Sequence, residues 1–175
     1  MLHPDTEVRL GRFGLGVFVT APIPKGTVTW VRDSLDQVFT DGDVSKMTPG
    51  ERNILLKWSY VNEAGERILQ WGNAIFHNHS CSPTTVSTEF MGGDIDLAAR
   101  DLLPGDELTN DYRTFYNPRS DPMMDFMCHC GEDDCCRDLG SAPLPFVSER
   151  LDRLSLEAHK LMRSVPQPVL DCLGL

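Results

Sequence analysis

With 175 residues, 41% of them apolar and 24% charged, the chain has the size and composition of one globular domain, able to bury roughly 70% of its unfolded surface. No window approaches the ~20 apolar residues of a membrane span, and MLHPDTEVRLGRF lacks the basic-then-apolar order of a secretory leader, so an intracellular home is expected, cytoplasmic, or nuclear in a eukaryote. A net charge of −10 argues against direct nucleic acid binding, which needs clustered Lys and Arg, and suits a basic peptide partner.

Residues 16–31, GVFVTAPIPKGTVTWV, are rich in β-branched and aromatic side chains and predict two short strands around a turn at 24–26. RDSLDQVFTDGDVS is broken by aspartates and Gly42. Thr48 with Glu51 forms a capping box, Pro49 takes the first helical position, and Ile54, Leu55 and Trp58 share a face, predicting a helix at about 49–58. Residues 66–76 and 95–100 read as strands, and ELTNDY continues as a short strand after a turn at Pro104-Gly105. Residues 113–125, with Pro118 and Pro122 and little periodicity, read as loop. In SERLDRLSLEAHKLM, the stripe of Leu151, Leu154, Ala158, Leu161 and Met162 predicts an amphipathic helix capped by Ser148. The sum is a mainly-β α+β domain.

Two motifs fail on inspection. GRFGLG at 11–16 precedes a strand, whereas a dinucleotide loop follows one and opens a helix. DGDVSKMTPGER has Lys46 and Arg52 where a calcium loop needs Gly and Glu.

CHCGEDDC is stronger. Cys128, Cys130 and Cys135 offer three soft thiolates around Gly131, with no secretory context for disulfides. A structural Zn2+ needs a fourth ligand. Cys136 competes with Cys135 for the third place, and the nearest other cysteine in a constrained context is Cys81, inside NHSCSPTT. Tyr112, at the end of ELTNDY, reads by itself as an ordinary core tyrosine.

Four blocks in order, FGLGVFV, NHSCSP, ARDLLPGDELTNDY and FMCHCGEDDC, resemble the SET-domain protein lysine methyltransferases with a post-SET zinc loop, over about residues 8–137. The resemblance implies a SET fold of several small curved sheets with a pseudoknot, plus a C-terminal helix, divided as SET domain 1–120, post-SET loop 121–140 and helical extension 141–175. It implies S-adenosyl-L-methionine against Phe13, Gly14 and Leu15, held by Asn78 and His79 and lined by Tyr116 and Phe126. It assigns catalysis to Tyr112 and a structural Zn2+ to Cys81, Cys128, Cys130 and Cys135. The implied activity is transfer of a methyl group to a lysine amine of a protein, histone-like or otherwise basic. A zinc-stabilised, non-catalytic peptide-binding module is the alternative.

Such chemistry asks mainly for alignment. It also needs a neutral amine, rare near pH 7 for a lysine of pKa about 10.4, which a desolvated channel beside a cation favours. The chain departs from the family pattern at Ile75, Thr84 and Asn110. The last stands two residues before Tyr112, where the family places the aromatic residue that sets the number of methyls added.

Overall fold

The computed structural model describes residues 1–90, 93–115, 117, 121–133, 135–140 and 144–175. Among these residues ten short strands form three small sheets, with helices at the middle and end of the chain. β1 (Thr6–Gly11) and β2 (Gly14–Val19) make a hairpin, β3 is Val28–Val31 and β4 is Gln37–Phe39. β5 (Tyr60–Val61), β6 (Arg67–Leu69), β7 (Asn78–His79), β8 (Thr85–Phe90), β9 (Gly93–Ala98) and β10 (Glu107–Asn110) follow. The sheet orders are β1-β2-β10-β7, β3-β9-β8 and β4-β6-β5.

The first sheet builds the site. β10 runs antiparallel to β2, pairing Leu108 with Val17, and parallel to β7, pairing Thr109 with Asn78 and Asn110 with His79. The Ser80 N–H extends that parallel ladder to the Asn110 carbonyl at 3.0 Å. NHSC and ELTNDY, some thirty residues apart in sequence, thus lie side by side. Thr84 braces the join: its hydroxyl donates to the Glu107 carbonyl at 2.7 Å and accepts the Thr109 N–H at 2.8 Å, while its own N–H donates to Thr109 Oγ1 at 3.1 Å. Threonine therefore suits this position through its pairing with Thr109.

Local signals account for several elements. Helix α2 (Pro49–Trp58) starts with both capping-box bonds between Thr48 and Glu51. The same device at Thr40 and Asp43 opens a helix, α1 (Asp41–Lys46), in the stretch that looked merely broken. The strand expected over 66–76 stops at Leu69; Gly72 turns at φ 63° and residues 72–76 form a 3-10 turn, anchored as the Trp71 N–H donates to Asp36. The loop at 113–125 contains 3-10 turns at Tyr112–Thr114 and Pro122–Met124. The long terminal helix α3 (Leu144–Leu161) begins before Ser148, which lies within it and is not its cap. A short α4 (Pro168–Leu173) closes the chain. Among the described residues no helix is long and apolar enough to cross a membrane.

The terminal helices share the core. Leu151, Ala158, Met162, Val169 and Leu170 pack with Val28, Val31, Val86, Ile95 and Leu97 of the β3-β9-β8 sheet. Gln167 accepts the Val28 N–H at 2.8 Å and donates to the Gly26 carbonyl at 3.0 Å. Gly26 has φ 88°, and a Cβ there would stand 2.7 Å from the Ala158 carbonyl, so the close approach of α3 needs glycine.

A buried ion pair links sheet to loop. Arg67 donates to Asp121 at 2.6 Å and to Ser59 Oγ at 3.2 Å, with Asp121 almost wholly enclosed. Arg67→Met should lower the unfolding free energy by about 3 kcal/mol, because it strands the Asp121 carboxylate without its cation. Urea unfolding measures this, with Ser59→Ala as the mild comparison.

Candidate active site and metal centre

Four sulfurs converge from two distant segments. Sγ of Cys81, Cys128, Cys130 and Cys135 all lie within 4.8 Å of one another. Tetrahedral zinc with metal–sulfur bonds of about 2.3 Å requires sulfur–sulfur edges of about 3.8 Å; Cys81 and Cys128 are 3.9 Å apart. Burial pushes the Cys81 thiol well above its ordinary range and Cys128 up to about 12. These sulfurs therefore keep their protons unless a cation replaces them. Four soft donors gathered within 4.8 Å of one another, one pair at the tetrahedral edge length, fit Zn2+. Cys135 belongs to this set, and Cys136 lies just outside it, 3.5 Å from Cys81.

His79 connects this centre to Tyr112. The Tyr112 N–H donates to His79 Nδ1 at 3.2 Å, leaving Nε2 to carry the proton of the neutral ring. That Nε2 faces Cys81 Sγ at 3.4 Å. Burial holds the ring neutral, lowering its pKa to about 4 against the pull of Asp111. Two N–H groups, His79 Nε2–H and the Cys136 amide at 3.4 Å, are thus directed at the Cys81 sulfur.

Tyr112 sits in an aromatic cage. Its ring stacks on Phe115 at 5.5 Å and meets His79 at 5.4 Å and Phe126 at 6.1 Å. The hydroxyl donates to the His77 carbonyl at 2.5 Å. Burial, then the Glu107 carboxylate, raises its pKa, so it remains a neutral, oriented hydroxyl rather than a base.

On the hairpin side, Phe13 and Leu15 are exposed and Gly14 has φ 108° with open space where a Cβ would stand. Asn78 Nδ2 donates to the Leu15 carbonyl at 3.0 Å and to Glu107 Oε1 at 2.6 Å. The Glu107 and Asn78 side-chain ends occupy the space where a Cβ on Gly16 would stand, so a larger residue there would push this polar pair aside. The structure thus leaves an accessible edge at residues 13–15, beside the Asn78 amide. Tyr116 lies outside the described residues.

A cavity of about 280 Å3 opens beside the cage, walled by Trp30, Tyr60, Phe115, Glu63, Asp94, Asp96, Asn110 and Asp152. Asn110 is spoken for there: its Nδ2 donates to Asp96 at 2.9 Å and its oxygen accepts from Thr85. Asp96, whose pKa burial raises, also accepts from Ser87 at 2.7 Å. Glu107, Phe115 and Asp96 escaped the sequence reading. Only the aromatic spacing of Tyr112 and Phe115 hinted at one of them.

His77, under the Tyr112 hydroxyl, is buried with neither ring nitrogen bonded, and burial lowers its pKa to about 4. Unfolded, the ring titrates near 6.5. Between those values the unfolded chain binds the extra proton, so the contribution of His77, about 3 kcal/mol, is complete above pH 6.5 and is lost as pH falls toward 4. His77→Phe should flatten this acid limb in melts recorded from pH 7 to 4.

The chain belongs to the SET domain family, whose model matches residues 14–113. It is 26% identical over 184 residues to histone-lysine N-methyltransferase NSD3 of Mus musculus, a match covering 96% of this chain and 12% of that protein. The chain thus spans a small part of that relative. Two crystal structures of KRYPTONITE share its fold. The complex with mCHG DNA and SAH has a TM-score of 0.57 at 22% identity, covering 79% of this chain and 29% of that one. The complex with mCHH DNA, H3(1-15) peptide and SAH has 0.54 at 21%, covering 79% and 30%.

Proposed function

We propose that this chain is an S-adenosylmethionine-dependent protein-lysine N-methyltransferase with a structural zinc. The observation that carries the reading is Tyr112 of this SET domain, caged by His79, Phe115 and Phe126 and tied through His79 to four converging thiols. Support also comes from the histone-lysine methyltransferase named among its relatives and from the SAH and H3 peptide named in the KRYPTONITE complexes.

The cofactor would rest on Phe13, Gly14 and Leu15, with Asn78 and His79 holding it and Tyr116 and Phe126 lining its pocket. When bound it supplies an electrophilic methyl group on a cationic sulfonium. Tyr112 orients the incoming lysine amine with a hydroxyl that stays protonated. The aromatic cage excludes water, which favours the neutral amine. Glu63, Asp94 and Asp152 beside it offer an acidic approach to a basic, histone-like segment. Cys81, Cys128, Cys130 and Cys135 would hold the zinc and so fix the 121–140 loop against the 1–120 domain, with 141–175 packed behind. A histone-like substrate would place the protein in the nucleus.

Incubation with labelled S-adenosylmethionine and a panel of basic proteins, histones included, tests this. Transfer to lysine, retained after acid hydrolysis as methyl-lysine, is the expected result. Cofactor binding without transfer to any protein in the panel would favour the peptide-binding alternative.

A further inference from the structure

Cys136 is a fifth thiol at this centre that neither the four-sulfur set nor methyl transfer uses. Its Sγ is 3.5 Å from Cys81 Sγ, nearer than Cys128 at 3.9 Å, and its backbone N–H donates to the same sulfur at 3.4 Å. Cys81 is buried while Cys136 is half-buried, so a small oxidant meets Cys136 first. Its immediate neighbour Cys135 is a poor partner: adjacent Cα atoms are about 3.8 Å apart, below the ~4.4 Å minimum usual for a disulfide. Cys81 comes from another segment and carries no such restriction.

We propose that Cys136 is a redox-modification site: a peroxide oxidises it, it closes a disulfide with Cys81, and the four-thiol set is thereby opened. In the first step the Cys136 thiolate attacks one oxygen of hydrogen peroxide, giving the sulfenic acid and hydroxide. In the second the Cys81 thiolate attacks that sulfur, forming the S–S bond and releasing a second hydroxide. The Cys136 thiol proton neutralises the first hydroxide and solvent supplies the proton for the second, because Cys81 gave its own up on binding the metal; the balance is one thiol, one metal-bound thiolate, one peroxide and one proton to one disulfide and two waters. The metal then keeps Cys128, Cys130 and Cys135 only. The loop remains joined to the NHSC segment, now covalently, while that segment's ligand to the ion is lost. The metal-release half of this proposal rests on the zinc reading above.

The test uses the full chain carrying Cys172→Ser, which removes the exposed thiol away from the centre, with and without Cys136→Ser. Each is reduced, loaded with Zn2+ and assayed for bound metal before hydrogen peroxide is added. Released zinc is followed with a colorimetric chelator, and non-reduced digests are mapped by mass spectrometry. The expected result is a Cys81–Cys136 cross-linked peptide, zinc release slowed about tenfold by Cys136→Ser, and recovery with dithiothreitol and Zn2+. Cross-links confined to Cys128, Cys130 and Cys135, or equal release rates in both proteins, would overturn it. A chain that holds no zinc before oxidation refutes the metal reading instead; the cross-link still decides the disulfide, and its absence sinks the proposal.

Discussion

Tyr112→Phe is expected to reduce methyl transfer by about two orders of magnitude, the effect typical of removing one preorganised polar group from a reacting centre. The ring stays: phenylalanine keeps the contacts with Phe115, His79 and Phe126. What disappears is the hydroxyl bonded to the His77 carbonyl, a loss of about 1 kcal/mol that the fold should tolerate. Cofactor affinity should therefore stay within a few-fold of the parent while turnover collapses. Calorimetric titration with S-adenosylmethionine beside a radiolabel assay separates the two quantities. Undiminished transfer would remove Tyr112 from the catalytic role, and loss of cofactor binding would make it a structural residue.

The second large effect is on the metal. Cys128→Ser should abolish stoichiometric zinc binding and weaken the cofactor at least about tenfold. Structural zinc commonly contributes an apparent ~10 kcal/mol or more to ordering its own domain, and here the ordered segment carries part of the cage. Phe126, two residues before Cys128, packs on His79 and Tyr112 at 5.7 and 6.1 Å. Cys128 N–H also ties to the Arg137 carbonyl within the loop. Metal analysis and cofactor titration on the same preparation give both readouts. A serine variant that loses zinc yet binds cofactor normally would show that the loop does not shape the pocket.

How much of this could be read from the chain depends on how local each cause is. The helix at 49–58 was legible because its capping box and its apolar face lie within ten residues. The Thr40–Asp43 cap carries the same kind of signal, but the aspartate-rich run around it disguised a helix as a break. The strand expected to reach residue 76 is ended by Gly72 and by a bond to Asp36, a partner no window around 70 contains. Ser148 lies inside a helix that starts at Leu144, four residues ahead of it; a serine just before an apolar stripe carries the same signal as a true cap.

The site divides in the same way. Cys128, Cys130 and Cys135 announce themselves by spacing, but Cys81, forty-seven residues upstream of Cys128, stands out only as another constrained cysteine and is assigned as the fourth ligand through the family resemblance. Glu107 and Asp96 matter through strand register, which places Glu107 against Gly16 and Asn78, and Asp96 against Asn110. Nothing in either residue's neighbourhood distinguishes it from a solvated acid.

The Gln167 side chain, bridging the Gly26 and Val28 backbones, has a practical corollary for anyone dissecting the protein. A fragment ended after the thiol loop would keep every residue assigned to catalysis and metal, yet would bare Val28, Val31, Val86, Ile95 and Leu97 on one sheet face. Such a face invites aggregation. Minimal catalytic versions, chimeras and domain grafts should therefore carry the last two helices with them, and the tail is best regarded as the floor on which the chemistry stands.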